Sequence, residues 1–255
     1  MCVLLLYRHL LPGFPVILAF NREEDPGRSA MPPGLRILGE RRALCPRDRR
    51  HGGSWAGVND LGLVAAITNA PGYIDPEALS RGHVVFEALS CNTPLEAVKG
   101  IEELLSERPS RPFQLLLSDA DDCRYLRYVD GCLESRVEKG PVVSMSNLIG
   151  PERCELCGAM GLYDEVAGTN HDIESLLDRL GVTMASGRGR DRESGAEFPV
   201  CLHEGQRPTV SSTLIAVPHL QGMDSLRQLR FRYAAGNPLE VDFKEYDDLS
   251  CGLIA

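Results

Sequence analysis

The first 23 residues, MCVLLLYRHLLPGFPVILAFNRE, contain the stretch that decides the fold. Cys2 to Tyr7 and Val16 to Phe20 are short, rich in Val, Leu and Ile, and bounded by turn residues, which is typical of strands buried on both faces. The apolar run is broken before it reaches the ~20 residues of a membrane-spanning helix by Arg8, His9, Pro12, Gly13 and Pro15. The sequence therefore predicts two strands joined by a Pro-Gly turn, with no membrane anchor, and we expect a cytoplasmic protein.

Composition sets the class of the protein. The chain has 255 residues, of which 43% are hydrophobic and 25% charged, so it can bury a sizeable core. No composition break or Pro/Ser/Gly-rich linker divides it, and we predict one domain over residues 1–255. The formal net charge of -9 argues against general binding to nucleic acid or to a membrane surface.

The cysteines indicate a reducing compartment. There are nine, an odd number without regular spacing, which does not fit a disulfide framework. Cys154 and Cys157 form a C-x-x-C, but no second ligand pair follows at the spacing of a zinc finger. We therefore expect neither a metal site nor a cofactor.

Residues 22–50 carry a local excess of positive charge. They hold eight arginines and five acidic residues. An anionic small molecule is one partner that this charge could attract. The alternative interpretation, which we favour, is a solvated loop that keeps the protein in solution.

The rest of the chain predicts an α+β layered domain. We expect a loop over Asn21–Arg36, a mobile segment over Gly187–Gly195, and helices over Pro76–Leu89, Pro94–Ser106 and Asp172–Leu180. The Asp130-Gly131 pair predicts a hairpin. Further strands are predicted at Ser54–Val58, Leu63–Thr68, Phe113–Leu117, Cys123–Val129, Cys132–Val137, Val142–Met145, Thr209–Val217, Leu229–Tyr233 and Leu239–Tyr246.

Cys2 directly follows the initiator methionine. Its side chain is small enough to permit removal of Met1, after which one residue holds both a thiol and a free α-amine. Because that amine titrates near ~8, it can act as the base that activates its own thiol. A buried thiol at the start of a strand is the other interpretation, and the position alone does not choose between them.

Three segments, Asn21–Glu24 (NREE), Gly52–Asn59 (GGSWAGVN) and Ala65–Asn69 (AAITN), resemble the hallmarks of the NRDE family, also called the transport and Golgi organisation protein 2 family. The same order is kept by Met1-Cys2, Ser146-Asn147 and Ser212–Ile215. That family in turn is similar to the cholylglycine hydrolase and penicillin V acylase branch of the N-terminal nucleophile (Ntn) hydrolases. The resemblance implies an α+β fold, a four-layer αββα sandwich, with cysteine nucleophile chemistry on amide bonds.

The resemblance also implies roles for individual residues. Cys2 would attack a carbonyl, Glu23 matches the aspartate that holds the α-amine in those acylases, and Asn69 and Asn147 fall where the acylases bind the oxyanion. Arg22 and Asn21 would bind substrate, with Arg22 stabilising thiolate or substrate charge. Two positions depart from the family pattern: Glu23 is one methylene longer than aspartate, and Val210 stands where the family has arginine.

Two functions stay open at this point. The first is an Ntn-type cysteine amidohydrolase or acyltransferase acting on a small amide. The second is a non-catalytic carrier of haem or of acyl-lipid or coenzyme A, with Cys2 and His9 as candidate haem ligands; the family's association with Golgi organisation, haem trafficking and lipid metabolism implies this alternative. The asparagines also have a structural interpretation, since Asn21, Asn59 and Asn69 stand where Asn often serves a turn.

Overall fold

A computed structural model describes residues 2–169 and 171–254, which divide into two units. The first unit contains residues 2–27, 140–219 and 228–247, and the second contains residues 28–139, 220–227 and 248–254. Met1, whose removal the small side chain of Cys2 permits, lies outside the described residues. The expectation of one domain over residues 1–255 stays a prediction.

The strands, numbered along the chain, are β1 (Val3–Leu11), β2 (Phe14–Glu23), β3 (Ala30–Leu38), β4 (Arg41–Asp48), β5 (Ala56–Asn59), β6 (Val64–Asn69), β7 (Phe113–Ser118), β8 (Cys123–Val129), β9 (Cys132–Val137), β10 (Val142–Ser146), β11 (Cys154–Leu156), β12 (Arg188–Asp191), β13 (Glu197–Pro199), β14 (Thr209–Val217), β15 (Arg230–Ala234) and β16 (Lys244–Glu245). The helices are α1 (Arg81–Leu89), α2 (Pro94–Glu107), α3 (Ala159–Val166), α4 (Ile173–Ser186) and α5 (Cys251–Ile254). Two 3-10 turns cover Met223–Gln228 and Asp247–Ser250.

The first unit is built on an antiparallel six-stranded sheet in the order β10-β1-β2-β14-β15-β16. Helix α3 packs on β1 and β10, and α4 packs on β2 and β14. Alternate residues of the strands, such as Val3, Leu5, Ile17 and Ala19, form one core cluster with the buried side of these helices. A small sheet, β11-β12-β13, completes the unit.

The second unit is a seven-stranded antiparallel meander in which strands β3 to β9 follow one another in space as in sequence. Helices α1 and α2 pack against each other and against this sheet. The predicted hairpin between β8 and β9 is confirmed, since Asp130 and Gly131 both have positive φ, 51° and 81°. That is the backbone geometry of a type I′ turn, which suits the twist of the flanking strands.

The predicted first hairpin is also confirmed and is longer than expected. β1 and β2 pair from Val3 opposite Asn21 to Leu11 opposite Phe14, around Pro12 and Gly13. Thr93 caps the N-terminus of α2, because its side chain accepts a hydrogen bond from the Glu96 N–H.

Several expected boundaries were wrong. Asn21–Arg36 is not one loop: β2 continues to Glu23 and β3 begins at Ala30. Pro32 and Pro33 concealed β3, and both are tolerated because β3 is an edge strand whose register shifts between Met31 and Gly34.

Three other segments differ from prediction. The helix expected from Pro76 begins only at Arg81. Gly187–Gly195, expected to be a mobile segment, contains β12. Of Leu239–Tyr246 only Lys244–Glu245 is a strand, because the Asn237 carbonyl accepts hydrogen bonds from two following N–H groups and closes a turn.

Candidate functional site

Cys2 lies immediately before β1 in the first unit, with 7% of its surface exposed. Its Sγ accepts a hydrogen bond from the Glu23 N–H at 3.3 Å. The thiol also donates to the Glu23 carbonyl at 3.7 Å. The end of β2 therefore presents both backbone groups of a single residue to the thiol of Cys2.

Asn147 stands on the other side of Cys2. Its backbone N–H donates to the Cys2 carbonyl at 3.2 Å, which extends the pairing of β1 with β10 by one residue beyond Val3 opposite Ser146. On the other side of β1, Val3 is opposite Asn21 of β2, and continuing this register by one residue puts Cys2 level with Arg22, which pairs with Ser211 of β14. One row across the sheet thus consists of Asn147, Cys2, Arg22 and Ser211. Side chains of residues that lie opposite one another on neighbouring strands are on the same face of the sheet.

Arg22 and Glu23 are both buried, with 6% and 4% exposure. Both carboxylate oxygens of Glu23 lie out of solvent. Charged side chains are rarely placed so deep unless they are partnered or have chemistry to perform. The structure thus brings Cys2, Glu23, Arg22 and Asn147, four of the predicted site residues, to one end of the six-stranded sheet.

Tyr233 belongs to the same neighbourhood, although the sequence did not point to it. It pairs with Thr213, which lies two residues after Ser211 on β14, and is 3% exposed. Burial raises the pKa of the Tyr233 phenol, while the Ser211 hydroxyl and the Arg22 guanidinium act in the opposite direction.

Asn21 has a different environment from its neighbour Arg22. It is fully buried, and its side-chain amide donates to the carbonyls of Met184, at 2.7 Å, and Val200, at 3.0 Å. Met184 lies in the last turn of α4, where carbonyls lack partners within the helix. Both N–H donors of Asn21 are thus used inside the fold, and its predicted role in binding substrate stays a prediction.

Asn69 is the last residue of β6, in the second unit, and is half-buried. Its predicted role at the oxyanion stays a prediction, as do the roles of the other site residues.

Asn59, also in the second unit, has the structural role that the alternative interpretation gave it. Its amide donates to the carbonyls of Leu89, at 3.2 Å, and Cys91, at 2.8 Å. Its Oδ1 accepts from the N–H groups of Leu61 and Leu63, both at 3.0 Å. All the capacity of this side chain goes into joining a turn to the end of α1.

The Gly52-Gly53 part of the same motif is structural as well. A Cβ on Gly53 would stand 2.4 Å from the carbonyl carbon of Gly82, in the first turn of α1. The Ser54 N–H donates to the Gly82 carbonyl at 3.1 Å across this contact. Glycine is required because the two backbones touch.

The arginines of residues 22–50 do not form a single loop. Arg28 pairs with Asp48 at 2.8 Å and Arg41 with Asp60 at 3.7 Å, all within the second unit. These pairs favour a local structural role for both arginines, while Arg22 alone belongs to the row with Cys2.

A sequence model of the Transport and Golgi organisation 2 family matches residues 1–154. The chain belongs to this family. The matched part contains Cys2, Asn21, Glu23, Asn59 and Asn147, and it covers more than half of the chain. A comparison with curated proteins found no match for this family member.

The fold of this family member is similar to that of Ntn hydrolases of known structure. A variant of the conjugated bile acid hydrolase from Clostridium perfringens matches with a TM-score of 0.55 and 12% identity, covering 96% of both chains. A second variant of that enzyme, with cysteine at position 2 replaced by alanine, matches with a TM-score of 0.54 and 12% identity over 98% of this chain and 94% of that one. The Caenorhabditis elegans ortholog of N-acylethanolamine-hydrolyzing acid amidase matches with a TM-score of 0.53 and 12% identity over 89% and 97%. The predicted α+β fold of the Ntn-hydrolase type is confirmed.

The alternative function as a haem carrier, with Cys2 and His9 as the two ligands, does not fit the geometry of β1. Cys2 lies immediately before β1 and His9 lies near the far end of that strand, seven residues along the chain, and a strand rises ~3.3 Å per residue. They are therefore roughly 20 Å apart and cannot both ligate one iron. Among the described residues, none of the helices has the length and apolarity required to cross a membrane.

A concavity of about 500 Å³ lies elsewhere in the first unit, between α3 and α4. Its lining includes Tyr7, Leu162, Glu165, Arg179 and Val182. Tyr7 belongs to the helix-facing core of the sheet, so this concavity is on the opposite face from the row of Cys2 and Arg22.

Proposed function

We propose that the chain, once Met1 has been removed, is a cysteine amidohydrolase or acyltransferase that acts on a small amide through Cys2. The observation that carries the proposal is the position of Cys2: its Sγ is 3.3 Å from a backbone N–H donor, and it stands between Arg22 and Asn147 at a sheet end. The fold supports this choice, and so does the cysteine at position 2 of the bile acid hydrolase.

The reaction begins with the α-amine of Cys2, which takes the thiol proton. The Sγ electron pair then forms a bond to the substrate carbonyl carbon, and the carbonyl electrons move to oxygen. An amide N–H of Asn147 aimed at this oxyanion stabilises the transition state by roughly 3 kcal/mol. The Glu23 N–H, already directed at Sγ, favours the anionic form of sulfur.

Collapse of the tetrahedral intermediate breaks the C–N bond, and the leaving amine takes the proton from the α-ammonium. The remaining thioester reacts with water in a hydrolase, or with an acceptor amine or alcohol in a transferase, and this second attack returns the thiol. Arg22, which the strand register puts level with Cys2, contributes positive charge that favours a thiolate or an anionic substrate group. Glu23 orients the α-amine through its carboxylate.

The test uses the full chain. Intact-mass measurement establishes whether Met1 is absent, and the protein is then incubated with a panel of acyl amides and with a thiol-directed probe, followed by peptide mapping. We expect turnover and labelling at Cys2 in the wild type, and neither in Cys2→Ala. Cys132→Ala is the matched control, since Cys132 is an exposed thiol on β9 of the second unit.

Three outcomes contradict the proposal. They are retention of Met1, turnover that persists in Cys2→Ala, and a probe that labels another cysteine while sparing Cys2. A protein inert toward every amide that binds acyl-coenzyme A tightly is a carrier instead.

A further inference from the structure

The side chain of Asn21 joins three parts of the first unit at one point. The residue pairs with Val3 on β1 and with Ser212 on β14. Its amide reaches across to the last turn of α4 at Met184 and to the segment after β13 at Val200. The end of β2 is thereby attached to two elements outside the sheet.

The backbone two residues further along is the part that touches Cys2. Glu23 donates its N–H to Sγ at 3.3 Å, and its carbonyl accepts from the thiol at 3.7 Å. In this region the pairing of β2 with β14 is irregular, since the register shifts between Thr209 and Ser211. Glu23 still pairs with Thr209 beyond this bulge, but a bulge locally disrupts the ladder. The side chain of Asn21 ties β2 to the helix layer two residues before Glu23.

The two contacts of Glu23 have opposite effects on the thiol. The N–H donor stabilises a thiolate, whereas the carbonyl accepts only from the protonated form and repels the anion. A small displacement of the strand end changes the balance between them, because hydrogen bonds weaken steeply with distance and angle.

We propose that Asn21 is a positioning residue for Cys2: by tying the end of β2 to α4, it holds the Glu23 N–H against Sγ. The inference rests on the proposed function, in which Cys2 is the nucleophile. It gives Asn21, the first residue of the Asn21–Glu24 motif, a role through the backbone, without contact with substrate.

Asn59 supplies a matched control. Its amide also donates to two carbonyls at the end of a helix, but it lies in the second unit and its hydrogen bonds go to residues of that unit. Replacing either asparagine with alanine removes the same chemical group from the same kind of contact. Only Asn21→Ala is expected to change the chemistry of Cys2.

The experiment measures the rate at which iodoacetamide labels Cys2 in full-length protein, by peptide mapping across a range of pH. We expect Asn21→Ala to slow labelling about tenfold at pH 7 and to move the midpoint of the pH profile upward by about one unit. The reason is that the Glu23 N–H is no longer held against Sγ, so the Cys2 thiolate loses a hydrogen-bond donor. We expect Asn59→Ala to stay within about twofold of the wild type, since it leaves the first unit intact.

A second readout is hydrogen exchange of the Glu23 amide, which we expect to be faster in Asn21→Ala and unchanged in Asn59→Ala. If Asn21→Ala does not fold, Asn21→Ser replaces it, because serine keeps one donor and should give an intermediate rate. Equal labelling profiles in the Asn21 and Asn59 variants, or a slower rate with unchanged Glu23 protection, overturn the inference. Absence of amide turnover with the expected labelling pattern instead contradicts only the proposed function.

Discussion

The two units use an asparagine at a strand end in different ways. Asn59 donates to two carbonyls and accepts from two N–H groups, so its whole side chain serves a turn and the end of α1. Asn21 donates to two carbonyls at the end of α4 and beyond it, and is followed directly by two buried charged residues and a contact with a thiol. The same residue type thus stabilises a fold in one unit and adjoins the candidate chemistry in the other.

What this difference teaches is that a family motif does not mark chemistry by itself. Gly53 and Asn59 belong to the Gly52–Asn59 motif, which is the longest of the three family segments. Contacts with the backbone explain why each of these two residues is needed. Asn21–Glu24 is shorter, yet it brings charge to a place where a strand would ordinarily bury apolar side chains. The buried charged side chains, and not the length of the motif, distinguish Asn21–Glu24 from the structural motif Gly52–Asn59.

The largest expected effect is on Cys2 itself. In processed protein, Cys2→Ser should lower turnover by at least about 10³-fold, because a hydroxyl gives up its proton to a weak amine base far less readily than a thiol does. Steady-state kinetics on the best amide substrate measure this. Cys45→Ser, at a buried thiol of the second unit, is the control and should keep turnover within about twofold while lowering stability.

The next effect tests the contrast between the asparagines through stability. Asn59→Ala should lower the free energy of unfolding by about 3 kcal/mol, because it leaves four backbone groups without their partner. Asn21→Ala should cost less, about 2 kcal/mol, since two such groups are affected. Urea denaturation followed by circular dichroism gives both values, and an Asn21 cost above that of Asn59 would contradict the contrast.

A third effect concerns Asn147. Asn147→Ala should lower kcat on the order of 10²-fold with little change in KM, because an oxyanion donor acts only in the transition state. Asn92→Ala is the control, since Asn92 is exposed in the second unit and should leave both parameters unchanged. A change confined to KM would assign Asn147 to substrate binding instead.

The sequence was sufficient for the elements whose information is local. The strands of the first hairpin, the Asp130-Gly131 turn and the Thr93 cap follow from hydrophobic runs, turn residues and a hydroxyl before a helix. β3 was missed because an edge strand with a bulge tolerates two prolines, which in sequence indicate a loop. Edge position depends on pairing between distant segments and leaves no local trace.

For the candidate site, the resemblance supplied Cys2, Arg22, Glu23 and Asn147, and the structure places these at one sheet end. Tyr233 was missed because the pairing of β15 with β14 brings it close to Ser211 and Arg22. Nothing in the sequence around Tyr233 reveals that pairing. The contact of the Glu23 backbone with Sγ was unpredictable for a similar reason, since side-chain identity says nothing about where an N–H group points.

The smallest expected effect is the pH dependence of stability that the buried thiol of Cys45 contributes. Burial raises the pKa of Cys45 to about 11, against which the Ser54 hydroxyl and nearby arginines act only partly. A folded-state pKa above the unfolded value means that the native protein binds this proton more tightly. The stabilisation is therefore complete below the unfolded pKa and is lost as the pH rises toward about 11.

With an unfolded value near 9, the loss at pH 10 is about 1.4 kcal/mol. Cys45→Ala removes this titration, so its free energy of unfolding should decline less steeply than that of the wild type between pH 8 and pH 11. The cavity left by the substitution lowers the whole curve by a constant amount and does not alter its slope. Urea titrations at several pH values give the two slopes, and parallel curves would show that Cys45 ionises no differently in the native protein than in the unfolded chain.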